Sequence, residues 1–211
     1  MSLVREQVRD AAIGVALADR PEDLGAFLKP GCAAAIWRRQ PAPSFQAWID
    51  GISPEHLPRG RVVMRPEVVR DVVRDLCEIA GTPAGSYRDH LIDDAGALAT
   101  RFAELTDAPY VRVRLDPITG DACRRFHIDA ITARLVCTYR GPGTQYGVST
   151  DGNAPKRVFD VPTGAPILMR GTLWPEQPAT GLLHRSPPIE GTGTTRLVLV
   201  VDPVADPEEA G

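Results

Sequence analysis

His127 and Asp129 stand two residues apart in the stretch RRFHIDAITARLVCTY, and His184 follows later in GLLHRS. Neutral imidazole nitrogens and a carboxylate oxygen are good ligands for a divalent metal ion. Two histidines and one acid hold an iron ion on one face and leave its other coordination positions open for substrate oxygens or O₂. We therefore predict that His127, Asp129 and His184 are both the metal ligands and the catalytic centre.

The same residue types also fit other readings. Alternatively, His127 is a histidine at the edge of the core that forms a hydrogen bond with Asp129 and binds no metal. The three side chains also suit zinc with a water in an open position. The remaining histidines, His56 in a proline-rich loop and His90 on a polar helix flank, are expected at the surface.

Arg196 begins the last apolar run of the chain, RLVLVV. A buried arginine needs an anion, and a guanidinium can contact a carboxylate at two points, although an ordinary surface ion pair would also explain this residue. Tyr139 and Tyr146 are predicted as further contacts to a carboxylate or a substrate, with strand packing as the alternative. Trp174 is interpreted either as a lid over the site or as the anchor of its loop.

The elements that must bring these residues together change character along the chain. Helical spacing of apolar residues predicts helices over 3–18, 67–80 and 87–105, and 33–39 is a candidate strand. Beyond Asp107, turn signals separate eight short runs that we predict as strands. They cover 110–116, 122–128, 133–139, 144–148, 157–161, 166–171, 181–186 and 195–202.

Eight short strands fit a double-sheet jelly roll of the cupin type. The predicted fold class is therefore α+β, with a helical region at 1–105 and a metal-binding jelly roll at 106–205. Residues 206–211 form a tail. Because the helices have apolar stripes that need a partner, we expect them to pack on one sheet. In a strand, residues i and i+2 share a face, so His127 and Asp129 would point the same way.

Composition excludes several classes of function. The 211 residues carry a net charge of −3, which indicates neither a nucleic-acid partner nor an anionic membrane. The longest apolar stretch near the N-terminus, AAIGVALA, is too short to span a bilayer. The four cysteines form no CxxC pair and indicate neither a zinc ribbon nor a redox pair. We expect a cytoplasmic protein with free, buried thiols.

The order HxD, distal His and Arg on eight strands resembles the Fe(II)/2-oxoglutarate-dependent dioxygenase superfamily over roughly residues 108–202. The resemblance implies an Fe(II) cofactor on His127, Asp129 and His184, and 2-oxoglutarate paired with Arg196. Many members have a hydroxyl residue two places after this arginine, where this chain has Val198. Thr194 or a tyrosine is a possible substitute.

At a closer level, CAAAIWRRQ, FHIDAITARLVCTYRGPGTQY and LLHRSPP resemble a bacterial family known as domain of unknown function 1826. That resemblance implies a functional link to metal-chaperone GTPases and leaves the substrate, small molecule or protein, undefined. Two function hypotheses follow. One is an iron- and 2-oxoglutarate-dependent oxygenase; the other is a cupin-like protein that binds zinc or another divalent metal in metal homeostasis, without oxygenase activity. A metal-free interaction module is a third option.

Overall fold

Two β-sheets face each other in the computed structural model, which describes residues 11–149, 153–176 and 178–208. The strands are β1 Gly14–Ala18, β2 Cys32–Trp37, β3 Gly60–Met64, β4 Tyr110–Ile118, β5 Ala133–Arg140, β6 Gln145–Val148, β7 Phe159–Asp160, β8 Pro166–Arg170, β9 Leu182–Arg185 and β10 Arg196–Val204. The helices are α1 Pro43–Asp50, α2 Val69–Ile79 and α3 Ser86–Thr106, with 3₁₀ segments at Pro21–Leu28, Pro54–His56 and Pro66–Val68.

The major sheet has seven strands in the order β1-β2-β8-β5-β10-β4-β3, and the minor sheet has three in the order β7-β6-β9. All strand pairs are antiparallel except β1 with β2. β10 lies inside the major sheet, between β5 and β4. Because both of its faces are covered, its sequence is apolar without alternation, and Leu197 to Val201 are all buried.

Two cores lie on opposite faces of the major sheet. The first joins the sheet to the helices: Leu199 and Leu135 on the strands share it with Val73 of α2 and Phe102 of α3. The amphipathic pattern of α2 places its valines on this side and its charges in solvent, as its spacing predicts. The second core lies between the sheets and contains Val136, Ile167, Val198 and Val200 of the major sheet with Leu182 of β9.

The N-terminal half is not purely helical, which corrects the predicted division at residues 105 and 106. It supplies β1, β2 and β3, and the last two pair with β8 and β4. The division predicted from sequence therefore cuts through one continuous sheet. The reason is that periodicity identified the long helices, whereas the short strand β3, GRVVM, follows a proline-rich stretch and gives little signal.

Two further predictions differ from the structure. The helix predicted over 3–18 is β1 at its C-terminal end, and residues 3–10 lie outside the described residues. Seven of the eight C-terminal runs contain a strand, but 122–128 is a loop that makes only one bridge, between His127 and His184. The predicted tail continues from β10, and only 206–208 of it are described. Within the described ranges, no helix combines the length and apolar character needed to cross a membrane.

Candidate metal centre

The three predicted ligands meet at one end of the space between the two sheets. His184 comes from β9, His127 from the loop that bridges to it, and Asp129 follows two residues later in the same loop. One ligand atom from each side chain can be chosen so that all lie within 4.8 Å of one another. The Nε2 atom of His184 is 3.0 Å from Oδ2 of Asp129, and that of His127 is 3.5 Å from Oδ1.

This arrangement fits a metal ion. Bonds of about 2.1 Å that meet at right angles place two ligand atoms about 3.0 Å apart, close to the distances between the imidazoles and the carboxylate. Oδ2 of Asp129 is buried and accepts no aligned hydrogen bond in the described part of the chain. An acceptor buried in this way is costly unless a cation or a donor satisfies it. The donor set of two imidazoles and one carboxylate is the one that iron and zinc accept.

The ring of His127 is fixed by a contact on its far side. Its Nδ1 atom lies 2.8 Å from the carbonyl oxygen of Arg125. Because a carbonyl only accepts, the proton of the neutral imidazole must be on Nδ1, which leaves the lone pair of Nε2 directed at the site. The backbone of His127 also exchanges two hydrogen bonds of 3.0 Å with that of His184. The two histidines are thereby held side by side.

Asp129 is positioned by an arginine and by the backbone. Nη1 of Arg134 on β5 forms an ion pair with Oδ1 of Asp129 at 2.8 Å, and the same side chain binds Asp202 of β10 with two hydrogen bonds of 2.7 and 2.8 Å. One carboxylate oxygen of Asp129 is thus occupied, and the other faces the histidines. Thr172, just after β8, donates its backbone N–H to the carbonyl of Asp129 at 3.0 Å.

The same residues keep the carboxyl of Asp129 ionised. Burial by itself raises its pKa, but the contacts with His184, Arg134 and His127 outweigh burial and hold the pKa at about 2. A carboxylate that is already charged at neutral pH needs no proton loss before it binds a cation. Arg134 therefore positions the ligand and also maintains its charge.

Arg196 lies in the same cleft as the two histidines. The cleft has a volume of about 110 Å³ and is lined also by Val136, Thr144 and Val198. The side chain of Arg196 is 1% exposed. Its Nε donates to the carbonyl of Pro142 at 2.7 Å and one Nη to the hydroxyl of Thr138 at 3.2 Å.

No acidic side chain in the described ranges pairs with Arg196. Burial lowers the pKa of its guanidinium to about 10, so the group remains charged at neutral pH. A buried cation without an anion is unfavourable, which makes this position suited to an anionic ligand. Thr138 is paired with Val198 across β5 and β10. It therefore supplies, from the adjacent strand, the hydroxyl that position 198 lacks; the substitutes named from the sequence, Thr194 and a tyrosine, do not make this contact with Arg196.

One known protein family matches most of this chain. The family model described as "Protein of unknown function (DUF1826)" matches residues 18–202. The match includes the whole minor sheet, nearly all of the major sheet and every residue of the metal centre. The chain belongs to this family. Among curated proteins, none matches the sequence.

Solved structures show which fold the DUF1826 chain has. The dioxygenase for auxin oxidation 1 from Arabidopsis thaliana, in its 2-oxoglutarate complex, aligns with a TM-score of 0.50 and 10% identity, covering 92% of this chain and 93% of that one. The corresponding rice enzyme gives 0.49 at 12% identity, with 91% and 83% covered. A prolyl-4-hydroxylase from Pseudomonas putida gives 0.36 at 14% identity, with 80% and 98% covered. The DUF1826 chain thus shares the fold of Fe(II)/2-oxoglutarate dioxygenases.

Tyr139 and Trp174 lie on the other face of the major sheet, away from the cleft. The hydroxyl of Tyr139 donates to Asp94 of α3 at 2.7 Å, so its proposed contact with a co-substrate is wrong. Strand alternation explains the error, because Thr138 faces the cleft and its neighbour must face the helices. The ring of Trp174 packs edge-on against Phe27 at 5.1 Å, which makes it a loop anchor and not a lid.

Tyr146 remains a candidate for contact with a ligand in this DUF1826 protein. It is paired with His184 across β6 and β9, so the two side chains share the inner face of the minor sheet. Its ring stacks on Phe159 with 5.4 Å between centroids, and burial raises the pKa of its hydroxyl. Its role as a co-substrate or substrate contact stays a prediction.

Thr138 and the bridge Asp129–Arg134–Asp202 were not assigned to the site from sequence. The partner of Arg134 in this bridge, Asp202, is 68 residues away, and no local spacing links the two. Thr138 would have been found only from the register of β5 against β10, which sequence periodicity does not give.

Proposed function

We propose that this DUF1826 protein is an Fe(II)- and 2-oxoglutarate-dependent oxygenase. His127, Asp129 and His184 hold the iron, and Arg196 with Thr138 binds the far carboxylate of 2-oxoglutarate. The observation that carries the proposal is the combination, in one cleft, of a buried, unsatisfied carboxylate oxygen between two imidazoles and a buried arginine without an acidic partner in the described ranges. A zinc site accounts for the first feature but gives no reason for the second.

The protein side chains would have separate tasks. The hydrogen bond from His127 to Arg125 and the ion pair from Arg134 to Asp129 orient two ligands before any metal arrives. Arg196 would fix the co-substrate by a charge-assisted contact at the end of the cleft. When bound, iron would activate O₂, which is the oxidant: one oxygen atom would enter succinate as 2-oxoglutarate loses CO₂, and the other would enter the C–H bond of the substrate.

The walls of the cleft would keep the reaction away from bulk water. Val136, Val198 and Val200 line it on the major sheet and belong to the core between the sheets. An apolar wall next to a charged site strengthens the electrostatic contacts of Asp129 and Arg196 because it lowers the local dielectric constant. The substrate would enter through the part of the cleft that leads to solvent.

The test combines binding and turnover. Under anaerobic conditions, Fe(II) plus 2-oxoglutarate should produce the weak visible charge-transfer band of the chelate. With air, iron and ascorbate, the protein should form succinate slowly without a substrate. His127→Ala should abolish both signals, and His56→Ala, which removes a histidine from an exposed loop, should retain both.

Two results would contradict the proposal. Equal succinate formation by wild type and His127→Ala would exclude the metal centre as its source. Tight retention of zinc, together with no binding of 2-oxoglutarate in a titration, would favour the alternative of a metal-binding protein without oxygenase activity.

A further inference from the structure

The minor sheet leaves one flank of the major sheet uncovered beside the metal centre. The core between the sheets contains residues of β2, β5, β8 and β10, with Ile118 at the end of β4 packed against it. No residue of β3 contributes to that core in the described part of the chain. The cleft-side residues of β3 and β4 are therefore only partly covered, and Arg61 and Arg114 are exposed.

Three arginines occupy this open flank, and we call them the arginine shelf: Arg61 of β3 with Arg112 and Arg114 of β4. Arg61 and Arg114 are directly opposite each other in the register of the two strands, and Arg112 is opposite Val63. Arg114 is also opposite Val200 of β10, whose side chain belongs to the core between the sheets. The shelf is therefore on the same side of the major sheet as the metal centre.

Two charges of the shelf, those of Arg61 and Arg114, are not compensated by a described residue. Neither Arg61 nor Arg114 forms an ion pair or side-chain hydrogen bond among residues 11–149, 153–176 and 178–208, and both are exposed. Asp116 is two residues beyond Arg114 on the same face, and no ion pair joins the two in the described residues. Like charges directly opposite each other destabilise a sheet, so this pair has a cost that a bound anion would remove.

The shelf leads directly into the site. Arg114 lines the same cleft as His127, His184 and Arg196. Arg196 is buried at 1% exposure, whereas the shelf lies at the solvent side. Under the proposed function, Arg196 is committed to 2-oxoglutarate, so the shelf is available to a second anion.

We infer that the substrate of this oxygenase is a small molecule with an oxyanion, a carboxylate or a phosphate, that docks between Arg61 and Arg114. The claim that the anion is a substrate rests on the proposed function. Binding of the anion to the two arginines does not itself require a metal. Guanidinium forks match both oxyanions with two parallel hydrogen bonds. An oxyanion held on β3 and β4 would direct the rest of the molecule into the cleft, toward the metal centre.

The test observes the two arginines directly. In ¹⁵N-labelled, metal-free protein, the Nε–Hε signals of Arg61 and Arg114 are assigned by their loss in Arg61→Gln and Arg114→Gln. Inorganic phosphate and sodium acetate are then titrated separately at constant ionic strength. Both signals should shift with one common dissociation constant for at least one anion. The signal of Arg74, a half-buried arginine on α2 behind the sheet that is paired with Asp71, serves as the reference.

Charge-matched variants sharpen the result. Arg61→Gln should raise the dissociation constant of the anion, measured from the Arg114 signal, about fivefold. An effect of this size corresponds to the loss of an exposed ion pair or slightly more. Arg74→Gln removes the same charge and should leave it unchanged. Signals of Arg61 and Arg114 that move no more than that of Arg74 with either anion would overturn the inference.

A second arm separates this inference from the proposed function. Mn(II), added to the labelled protein, should broaden the Arg114 signal in the wild type and not in His127→Ala. Anion shifts without this broadening would support the anion site but refute its place beside a metal centre. Broadening without anion shifts would leave the metal centre intact and refute the arginine shelf as a docking site.

Discussion

Two polar clusters on opposite faces of the major sheet differ in how their buried groups are paired. On the helix side, Arg39 binds Asp94 with two hydrogen bonds of 2.5 and 2.7 Å, and Tyr139 adds a third of 2.7 Å to the same carboxylate. On the cleft side, Arg196 has no acid and Asp129 retains an unsatisfied oxygen within the described residues. The fully paired cluster of Arg39, Asp94 and Tyr139 holds elements together, whereas the unpaired groups on the cleft side lie where ligands would bind.

The largest expected difference between the two faces is in the reactivity of their thiols. Burial raises the pKa of Cys137, on the helix side, from 9.0 to about 12. At neutral pH this leaves far fewer thiolates than in an ordinary thiol. Cys123, by contrast with the buried thiols expected from sequence, is exposed and lines the cleft. Native protein treated with iodoacetamide should therefore be alkylated at Cys123 and not at Cys137, as measured by peptide mass spectrometry. Rapid alkylation of Cys137 would show that the helix layer opens readily.

Removing the arginine of the paired network should cost the most stability. Arg39→Met leaves Asp94 charged and part-buried without its main partner, and we expect the free energy of unfolding to fall by about 3 kcal/mol. Urea denaturation measures this loss. Binding of 2-oxoglutarate to the folded variant should not change, because Arg39 is on the far side of the sheet. An unaltered denaturation midpoint would contradict the assignment of this network to structure.

Replacing the arginine on the cleft face by methionine should weaken ligand binding and should not lower stability. Arg196→Met removes a buried charge that has no acidic partner in the described ranges, so stability should stay equal or rise. Affinity for 2-oxoglutarate should fall about fiftyfold, the loss of a charge-assisted contact of about 2.3 kcal/mol. Isothermal titration with the metal-loaded protein measures the affinity. Loss of stability with retained affinity would show that Arg196 is a structural residue.

Neighbouring hydroxyls on β5 provide the finest comparison. Thr138→Val removes the acceptor of Arg196 and should weaken 2-oxoglutarate binding about fivefold. Tyr139→Phe removes the donor to Asp94 and should instead lower stability by about 1 kcal/mol with the affinity unchanged. Paired titration and denaturation of the two variants would check both. Similar effects from both substitutions would mean that the two faces are coupled.

Sequence alone predicted the parts of the site that depend on local spacing. His127, Asp129 and His184 meet as predicted, and seven of eight C-terminal runs contain strands. The reason given for His127 and Asp129 was only half right, because they lie in a loop and not on a strand. Their proximity is imposed by the bridge from His127 to His184 and by Arg134.

What the sequence could not reveal depends on register and on long-range pairing. The assignment of Thr138 and Tyr139 to opposite roles requires knowing which face of β5 is the cleft face. The shelf formed by Arg61 and Arg114 requires the pairing of β3 with β4, and β3 itself was not predicted. A shift of one residue in either pairing exchanges the faces, and periodicity does not fix that shift across distant segments.

One glycine shows how far the ligands depend on their backbone. A side-chain carbon at Gly171 would lie 2.0 Å from the carbonyl oxygen of Ile131 and 2.8 Å from that of Asp129. Every larger residue would therefore push apart the two segments that hold the metal-binding acid. In a saturation mutagenesis screen for function, Gly171 should tolerate as few substitutions as the three metal ligands. A loss-of-function allele at this position would then be read correctly as a lesion of the metal centre.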